Sequence, residues 1–440
     1  MKTDSGSFVS DLQIINTYYP LLPIIMIQKQ FFGWMFMLAV TGIGCQNNQL
    51  TSAAMEEELP SKASTSRVDA EVSVNPYVDT STYINSGFSF LNPAQVNKNR
   101  QAIGGNAYTE VYGFNIPEEN RVRGIRWNTD DETTSIWRPQ GIAGFTKDGV
   151  RYLLVSWYAK DDAEYKGSRI TLIDISPSSS TYLTYRHILL VQPDIPTNTT
   201  TYTQYGSYAP LKVHAGGIAY FKGKIYLSST NLGVRIFDLN KIIEVSTGDT
   251  TNEKCGKDAN GNLFAFNYRY ILPQTGYQKI NNASPFSTIQ VNDEGTQLWT
   301  GQYYAGSADA SIVPKVFGFP VDANGTIQNS GIVSVAPKNS LFTDNHAHGI
   351  QGVFRKGNKT WLSCTGSPSN SYGSNARLAR YTDGADDTVR YRWPYGAESL
   401  YYESQYNYLW SLTEYEPNAG AQNGNQVNRC IFAVDFSKYE

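Results

Sequence analysis

Residues 140–158 read QGIAGFTKDGVRYLLVSWY, which is an apolar strand, a tight turn and a second apolar strand. The turn contains Lys147, Asp148 and Gly149, and glycine supplies the positive φ angle that a tight hairpin turn needs. The stretch therefore predicts a two-stranded β-hairpin.

The same pattern occurs four more times along the chain. The copies are GGIAYFKGKIYLSSTN from Gly216, FSTIQVNDEGTQLWTGQY from Phe286, HGIQGVFRKGNKTWLSCTG from His348 and ESLYYESQYNYLWSLTEY from Glu398. A third strand follows every hairpin: SRITLIDI, GVRIFDL, PKVFGFPVD, ARLARYTD and NRCIFAVDF. A fourth strand follows the first four copies: TYRHILLVQP, NYRYILPQ, GIVSVAP and VRYRWPYG. Helical periodicity is nearly absent.

A unit of four antiparallel strands that repeats in this way is typical of a β-propeller. We expect an all-β fold with a single β-propeller over residues 100–440, built from five four-stranded blades. The fifth copy reaches Glu440 before its fourth strand, and the segment Ala107–Ile116 is predicted to supply it as an N-terminal strand that closes the ring. The alternative is six blades, with residues 80–137 as a blade of their own. A β-sandwich does not explain five copies of one unit.

The stretch from Met26 to Asn48 has the features of a targeting signal. Lys29 gives a positive start, an apolar run follows, and GIGC ends it with small residues. It resembles a bacterial lipoprotein signal, which implies lipidation at Cys45, export, and a lipid-anchored place in the cell envelope or at the outer surface. The alternative is a plain secretory signal cleaved nearby. Met26 is a plausible initiator, so residues 1–45 are set aside as upstream residues and signal, and the polar residues 46–99 are predicted to form a flexible tether.

Composition excludes one class of partner. The chain has 36 Lys and Arg against 39 Asp and Glu, so no basic footprint for nucleic acid is present. Cys255, Cys364 and Cys430 fit no zinc spacing and are expected to be buried, unreactive thiols, with one optional disulfide bridge.

In a propeller, equivalent positions of the repeats form a ring around the central channel. At the start of the inner strand the copies carry Gln140, Gly216, Phe286, His348 and Glu398, and two residues earlier they carry Arg138, His214, Ser284, His346 and Gly396. Three of the four histidines of the chain are thus expected at one channel mouth, beside a carboxylate and a guanidinium.

Two chemistries fit this ring. His214, His346 and His348 are candidate ligands of a divalent transition metal. Alternatively, His214 and His348 transfer protons as catalytic groups, Glu398 supports them, and Arg138 neutralises a substrate carboxylate. A purely structural role for each histidine is the competing interpretation, and His187 is expected to be structural on an outer strand.

The loops between second and third strands add aromatic and polar groups. They are Trp157, Tyr158, Asn231, Gln302, Tyr303, Tyr304, Glu414 and Tyr415. Flat rings beside amides and carboxylates suit sugars, so the predicted substrate-binding residues are Arg138, Gln140, Tyr158, Gln302, Tyr303 and Glu414.

Two further patterns favour structural roles. The third strand begins with a basic residue in every copy, namely Arg169, Arg235, Lys315, Arg377 and Arg429, which predicts ion pairs or carbonyl contacts between blades more readily than an anion-binding face. The two DANG motifs, from Asp258 and from Asp322, lack the further ligands of a calcium loop and predict turns.

The stretches YRHILLVQP, HAGGIAYF, GVRIFDL and YRYILPQ resemble a group of secreted bacterial and fungal proteins of unassigned activity. More distantly, the architecture is similar to gluconolactonase-type propellers, which use a calcium-binding ring of Glu, Asn and Asp. Only Glu398 and Asn231 match that ring. Propeller polysaccharide lyases, which use His, Tyr and Arg, are a looser analogy.

We expect an exported, lipid-anchored propeller that binds an extracellular glycan or other small molecule at its channel mouth and cleaves it if the polar ring is catalytic. The alternatives are a metal-dependent hydrolase that uses the channel histidines and a non-enzymatic surface scaffold that binds protein. The membrane is contacted through the lipid anchor only.

Overall fold

A computed structural model of the chain describes residues 71–84, 87–106, 116–194, 202–284, 286–292, 294–303, 314–335, 349–364, 376–385, 388–416 and 429–440. The chain divides into two compact units, Met1–Thr51 and Ser52–Glu440, and every described residue belongs to the second. Strands dominate this part, so the prediction of an all-β fold is confirmed. Its one α-helix is Thr129–Thr133, and no helix in the described ranges has the length and apolar character of a membrane span.

Each of the five predicted repeats forms an antiparallel sheet, numbered here in chain order. Sheet 1 contains Trp137–Lys147, Val150–Ala159, Ser168–Asp174 and Thr184–Pro193. Sheet 2 contains Ile218–Phe221, Lys224–Ser229, Gly233–Asp238 and Tyr270–Asn281. Sheet 3 contains Phe286–Val291, Gln297–Gln302, Val316–Pro320 and Val333–Val335. Sheet 4 contains Ile350–Lys356, Lys359–Cys364, Arg377–Thr382 and Val389–Arg392.

Sheet 5 combines the last strands of the chain with two strands from residues 103–126. Its first three strands are Ala397–Glu403, Tyr408–Thr413 and Cys430–Asp435, and the fourth and fifth are Arg121–Arg126 and Ile103–Asn106. The predicted closing segment Ala107–Ile116 is therefore corrected: 107–115 lie outside the described residues, Ile116 lies in no strand, and Arg121–Arg126 takes the place beside the third strand. The charged sequence RVRGIR hid this strand from a search for apolar runs, although backbone hydrogen bonds hold it.

The sheets pack face to face in cyclic order. Each inner strand contacts the inner strand of the next sheet, and the inner strand of sheet 5 contacts that of sheet 1. A separate apolar core lies between each neighbouring pair of sheets. Side chains alternate between the faces of a strand, so Tyr152 and Leu154 enter the core beside sheet 2, whereas Leu153, Val155 and Trp157 enter the core beside sheet 5. This arrangement is propeller-like.

Glycines allow the inner strands to approach closely. A β-carbon on Gly217 would lie 2.2 Å from the backbone nitrogen of Ile289, and one on Gly141 would lie 2.6 Å from that of Ile218. A backbone atom cannot move away as a side chain can, so these positions require glycine.

Short elements complete the described chain. The 3₁₀ helices are Ser81–Ile84, Pro93–Gln95, Glu118–Asn120, Asp161–Lys166, Ser404–Tyr406 and Phe436–Lys438. Thr203–Gln204, Lys254–Lys257 and Leu263–Ala265 form a small sheet. Tyr208–Pro210 and Ile242–Glu244 pair with the outer strands of sheets 1 and 2, which themselves pair in parallel at Leu189–Val191 and Ile271–Pro273.

Part of the predicted tether 46–99 is folded. Ser73–Val74 and Val78–Asp79 pair with Tyr270–Asn281, and Phe90–Leu91 pairs with Ile242–Glu244. Arg100–Gln101 pairs with Thr184–Pro193. Residues 80–137 thus contribute strands to neighbouring sheets and, within the described ranges, form no sheet of their own. The polar composition misled the sequence analysis because these pairs depend on backbone hydrogen bonds.

The cysteines and the DANG motifs behave as predicted. Cys255, Cys364 and Cys430 are free and buried, and burial raises the pKa of the Cys364 thiol to about 11.

In the second DANG motif, Asp322 Oδ1 accepts hydrogen bonds from the backbone nitrogens of Asn324 at 2.8 Å and Thr326 at 2.9 Å. The carboxylate closes its own turn, and Asp258 does the same in the first motif.

Asp131 is the centre of a buried polar cluster at the edge of sheet 1. Its Oδ1 lies 2.9 Å from His187 Nε2 and 3.2 Å from Arg169 Nη2, and its Oδ2 accepts hydrogen bonds from Tyr185 at 2.7 Å and Arg100 at 2.9 Å. Burial by itself would raise the pKa of Asp131, but His187, Arg169 and Tyr185 outweigh it and hold that pKa well below its usual range. The cluster gives both Arg169 and His187 a structural partner.

We expect the free energy of unfolding to fall as the pH drops from about 6.5 to about 4. Burial, followed by the charge of Arg169, lowers the pKa of His187 to about 4, although Asp131 opposes this. The unfolded chain has the ordinary histidine pKa of about 6.5 and therefore takes up a proton first, so acid favours unfolding. The expected loss from His187 between pH 7 and pH 5 is roughly 2 kcal/mol, measured by denaturant unfolding at both pH values.

A His187→Gln variant provides the control, because glutamine does not titrate. It should unfold with a smaller difference between pH 7 and pH 5 than the parent protein. An equal difference in the two proteins would mean that His187 does not carry the effect.

The basic residues that open the third strands have structural partners. Arg169, Arg235, Arg377 and Arg429 are buried. Arg235 donates a hydrogen bond to Gln274 Oε1 at 3.1 Å, and Arg429 donates to the backbone oxygens of Asp131 at 3.1 Å and Thr134 at 2.8 Å. These contacts favour the interpretation that the basic residues hold the architecture together.

Candidate functional site

The inner strands of sheets 1, 3, 4 and 5 each contain a break in register at the same place. The breaks lie between Pro139 and Ile142, Phe286 and Thr288, Ile350 and Gly352, and Ala397 and Leu400. A β-bulge adds a residue to one strand and redirects its side chain. The bulges therefore decide which side chains turn away from the regular alternation.

The register corrects the predicted ring. Gln140 and Glu398 each come directly after the last paired residue before the break, and the residues at the same place are Ser287 in sheet 3 and Gln351 in sheet 4. Phe286 and His348 were predicted there because each is the first residue of its repeat when the repeats are aligned by sequence alone. Phe286 instead lies in the core between sheets 2 and 3.

Glu398 occupies the bulge of sheet 5 and is fully buried. Its Oε1 accepts a hydrogen bond of 3.0 Å from Gln351 Nε2, whereas its buried Oε2 has no hydrogen-bond partner among the described residues. Burial and then the charge of Glu414 raise the pKa of Glu398 well above its usual range. These surroundings favour the neutral form of the Glu398 carboxyl group.

Glu414 follows the second strand of the same sheet and is half-buried. Its Oε2 accepts a hydrogen bond of 2.7 Å from Gln140 Nε2. Burial raises its pKa, and Arg138, Tyr415, Gln140 and Arg429 all oppose that rise. Because Glu414 has these donors and cations, it is the better place for negative charge, and Glu398 is the better place for a proton.

Two tyrosine rings lie beside the acids. Burial, followed by the neighbouring carboxyl groups of Glu398 and Glu414, raises the pKa of Tyr303 to about 12. Tyr415 hydrogen-bonds Glu414, and its pKa is also raised, first by burial. Glycines leave room for both rings, since a β-carbon on Gly349 would lie 2.5 Å from the Tyr303 ring and one on Gly396 would lie 2.3 Å from that of Tyr415. Both phenols are thus neutral donors near pH 7.

We refer to Gln140, Tyr303, Gln351, Glu398, Glu414 and Tyr415 as the acid site. Beside it, Arg138 forms an ion pair with Glu416, and Arg429 Nη2 lies 3.3 Å from Glu416 Oε2. Arg429 Nε donates a hydrogen bond of 2.8 Å to the backbone oxygen of Glu414. Two guanidinium groups, of Arg138 and Arg429, therefore lie beside the carboxyl groups of Glu414 and Glu416.

Of the three histidines predicted at the channel mouth, His214 is the one that lies within the described residues. The His214 ring packs on Tyr158 with ring centroids 4.1 Å apart, and burial lowers its pKa to about 4. A neutral imidazole at pH 7 is a poor proton donor. His346 and His348 lie outside the described residues.

The predicted metal site stays a prediction, since two of its three residues are not described. Within the described ranges, no group of three or more His, Cys, Asp or Glu side chains is placed to hold a metal ion.

Gln302, which was also predicted to bind substrate, bonds the backbone. Gln302 is buried, and its Oε1 accepts a hydrogen bond of 3.0 Å from the backbone nitrogen of Lys315. The sequence did not indicate that Gln351 and Glu416 belong to this region, or that Arg429 lies beside the two acids. Aligning the repeats on their second strands, which contain no bulge, would have identified Gln351 as the counterpart of Gln140.

No family model and no curated protein matches this chain. Among solved structures, it is similar to β-propeller enzymes at low identity. The GH43_1 enzyme from Xanthomonas citri is 10% identical over 69% of this chain and 89% of that chain, with a TM-score of 0.36. The catalytic domain of the Coprinopsis cinerea GH62 alpha-L-arabinofuranosidase is 9% identical over 77% and 96%, also with a TM-score of 0.36. Pseudomonas fluorescens PhoX in complex with vanadate is 8% identical over 80% and 98%, with a TM-score of 0.35.

At these identities and TM-scores, the likeness says nothing about activity. The distant similarity to gluconolactonase-type propellers stays a prediction.

Proposed function

We propose that the five sheets are the blades of one closed β-propeller and that the acid site lies at the mouth of its central channel. The contacts between inner strands in cyclic order support this proposal. So does the pairing of Arg121–Arg126 with Cys430–Asp435, which ties early residues of the fold to its last sheet. Closure would bring Gln140, Gln351 and Glu398 to one axis although they are far apart in sequence.

We further propose that the acid site binds a carbohydrate and hydrolyses a glycosidic bond. The observation that carries this proposal is the unequal surroundings of the two acids: Glu398 is fully buried with one hydrogen bond, from Gln351, whereas Glu414 accepts a hydrogen bond from Gln140 and lies beside Arg138 and Arg429. Two carboxyl groups with different protonation states are the usual machinery of glycoside hydrolysis. The rings of Tyr303 and Tyr415 offer apolar faces for a sugar, and their hydroxyls offer donors.

In the proposed reaction, Glu398 gives its proton to the glycosidic oxygen, and the bond from that oxygen to the anomeric carbon breaks. Glu414 acts as the carboxylate. It either takes a proton from the attacking water or bonds to the anomeric carbon before water replaces it. The first route inverts the configuration of the anomeric carbon and the second retains it, so NMR of the fresh product distinguishes them. Proton transfer thus moves from the histidines to the acids.

We also propose that the protein is exported and anchored through lipid on Cys45, which the signal-like sequence from Met26 supports. Labelling of cells with a radioactive fatty acid should mark the parent protein and leave Cys45→Ser unmarked. Label on the variant would exclude this anchor.

A glycan array tests carbohydrate binding. Purified protein should bind a defined set of glycans, and Tyr303→Ala should lower the affinity for them about tenfold, because the ring no longer covers the sugar. Tyr406→Ala is the control, since Tyr406 is an exposed ring in the 3₁₀ turn at the opposite end of the sheet 5 hairpin. Absence of binding, or an equal loss in both variants, would contradict the proposal.

A further inference from the structure

Each acid of sheet 5 receives an amide hydrogen bond from a different neighbouring sheet. Gln351 of sheet 4 donates to Glu398 at 3.0 Å, and Gln140 of sheet 1 donates to Glu414 at 2.7 Å. The two glutamines occupy equivalent bulge positions of their repeats. Sheets 4 and 1 are the two sheets that pack against sheet 5. The acids are therefore held from both sides by the same kind of residue at the same structural position.

The carboxyl groups of Glu398 and Glu414 differ in their remaining hydrogen bonds and in the charges beside them. Gln351 engages Oε1 of Glu398, while Oε2 is buried without a hydrogen-bond partner among the described residues. Gln140 engages Oε2 of Glu414, whose charge is further balanced by Arg138 and Arg429. An N–H that points at Oε1 excludes a proton from that oxygen, because two hydrogens would face each other. A proton on Glu398 is then confined to Oε2.

We propose that Gln351 is a positioning residue that directs the proton of Glu398 onto Oε2, the oxygen that Gln351 does not bond, and that Gln140 is its counterpart, which orients Glu414 as the carboxylate. The catalytic use of the Glu398 proton rests on the proposed function. The hydrogen bonds from Gln351 and Gln140 do not depend on it, because they form within the protein itself. This inference assigns a role to Gln351, which the sequence analysis did not single out.

Several charged or titratable groups act on the same two acids. Glu414, Tyr303 and Tyr415 face Glu398, whereas Arg138, Arg429 and Tyr415 face Glu414. An amide that donates to a carboxyl stabilises its ionised form. Gln351 therefore limits how far burial raises the pKa of Glu398, and its loss should raise that pKa further.

Infrared titration of the ligand-free protein tests the inference. The parent protein should show a protonated carboxyl band at neutral pH that is missing in Glu398→Gln. In Gln351→Met, which keeps the size of the side chain and removes the donor, this band should change frequency and titrate about one pH unit higher. Gln140→Met is the matched variant and should move the titration of the band that Glu414→Gln removes.

The inference fails if the Glu398 band is absent at neutral pH in the parent protein, or if Gln351→Met leaves its frequency and titration unchanged. Near-ultraviolet circular dichroism shows whether Gln351→Met folds, and Gln351→Leu is used if it does not. The search for the Glu398 band in the parent protein does not depend on either variant. The infrared measurements need no sugar. They therefore test the role of Gln351, whereas the glycan array tests carbohydrate binding, and either hypothesis can fail without the other. Conversely, suppose that Gln351→Met cleaves glycans with the same pH profile as the parent protein. The cleavage would support the proposed function, and the unchanged profile would show that Gln351 does not position the proton.

Discussion

Replacing Glu398 with glutamine is expected to lower the rate of glycoside hydrolysis by about 10²- to 10⁴-fold, the usual contribution of a general acid. The amide has nearly the same shape as the carboxylic acid but has no acidic proton to give to the leaving oxygen. Sugar binding should persist, because Tyr303 and Tyr415 remain in place. The measurement is release of reducing ends from the glycans that bind on the array, followed over a range of pH.

Glu403 provides the matched control within the same strand. It is a buried glutamate at the far end of Ala397–Glu403, where its oxygens accept hydrogen bonds from Arg151 at 2.8 and 2.7 Å. Glu403→Gln should reduce stability and leave the rate constant of the folded protein unchanged. A rate loss of the same size in both variants would show that Glu398 acts through the fold.

Replacing Arg429 with methionine is expected to lower the free energy of unfolding by about 3–5 kcal/mol, the usual effect of removing one partner from a buried ionic contact. Arg429 is fully buried and bonds the backbone oxygens of Asp131, Thr134 and Glu414. Methionine fills part of the space but leaves these oxygens without their donor. Equilibrium unfolding in urea measures the change.

Arg269 is the control for Arg429. It is exposed and pairs with Glu244 at 2.7 Å on the surface, where water solvates both groups. Arg269→Met should leave the free energy of unfolding essentially unchanged. If Arg429→Met were equally harmless, the interpretation of the basic residues as architectural would be wrong.

The amino-acid sequence by itself determined the all-β class and the hairpins. Apolar residues at alternate positions, with turns such as KDG and KGN, leave few choices for a local segment, and all five predicted hairpins and third strands form. The turn role of the DANG motifs was also local, because Asp258 and Asp322 bond the backbone within a few residues. Glu398 was predicted as a site residue because it stands at a repeated position.

Only the tertiary structure decided which side chains meet. The position of the bulge in the inner strand of sheet 4 places Gln351 beside Glu398, whereas the repeat pattern predicted His348, three residues earlier, at that position. The folded residues of the predicted tether and the closing strand Arg121–Arg126 were hidden for a related reason, since backbone pairing leaves little trace in side-chain patterns. Contacts between residues hundreds of positions apart depend on how the sheets pack, and no local pattern encodes that packing.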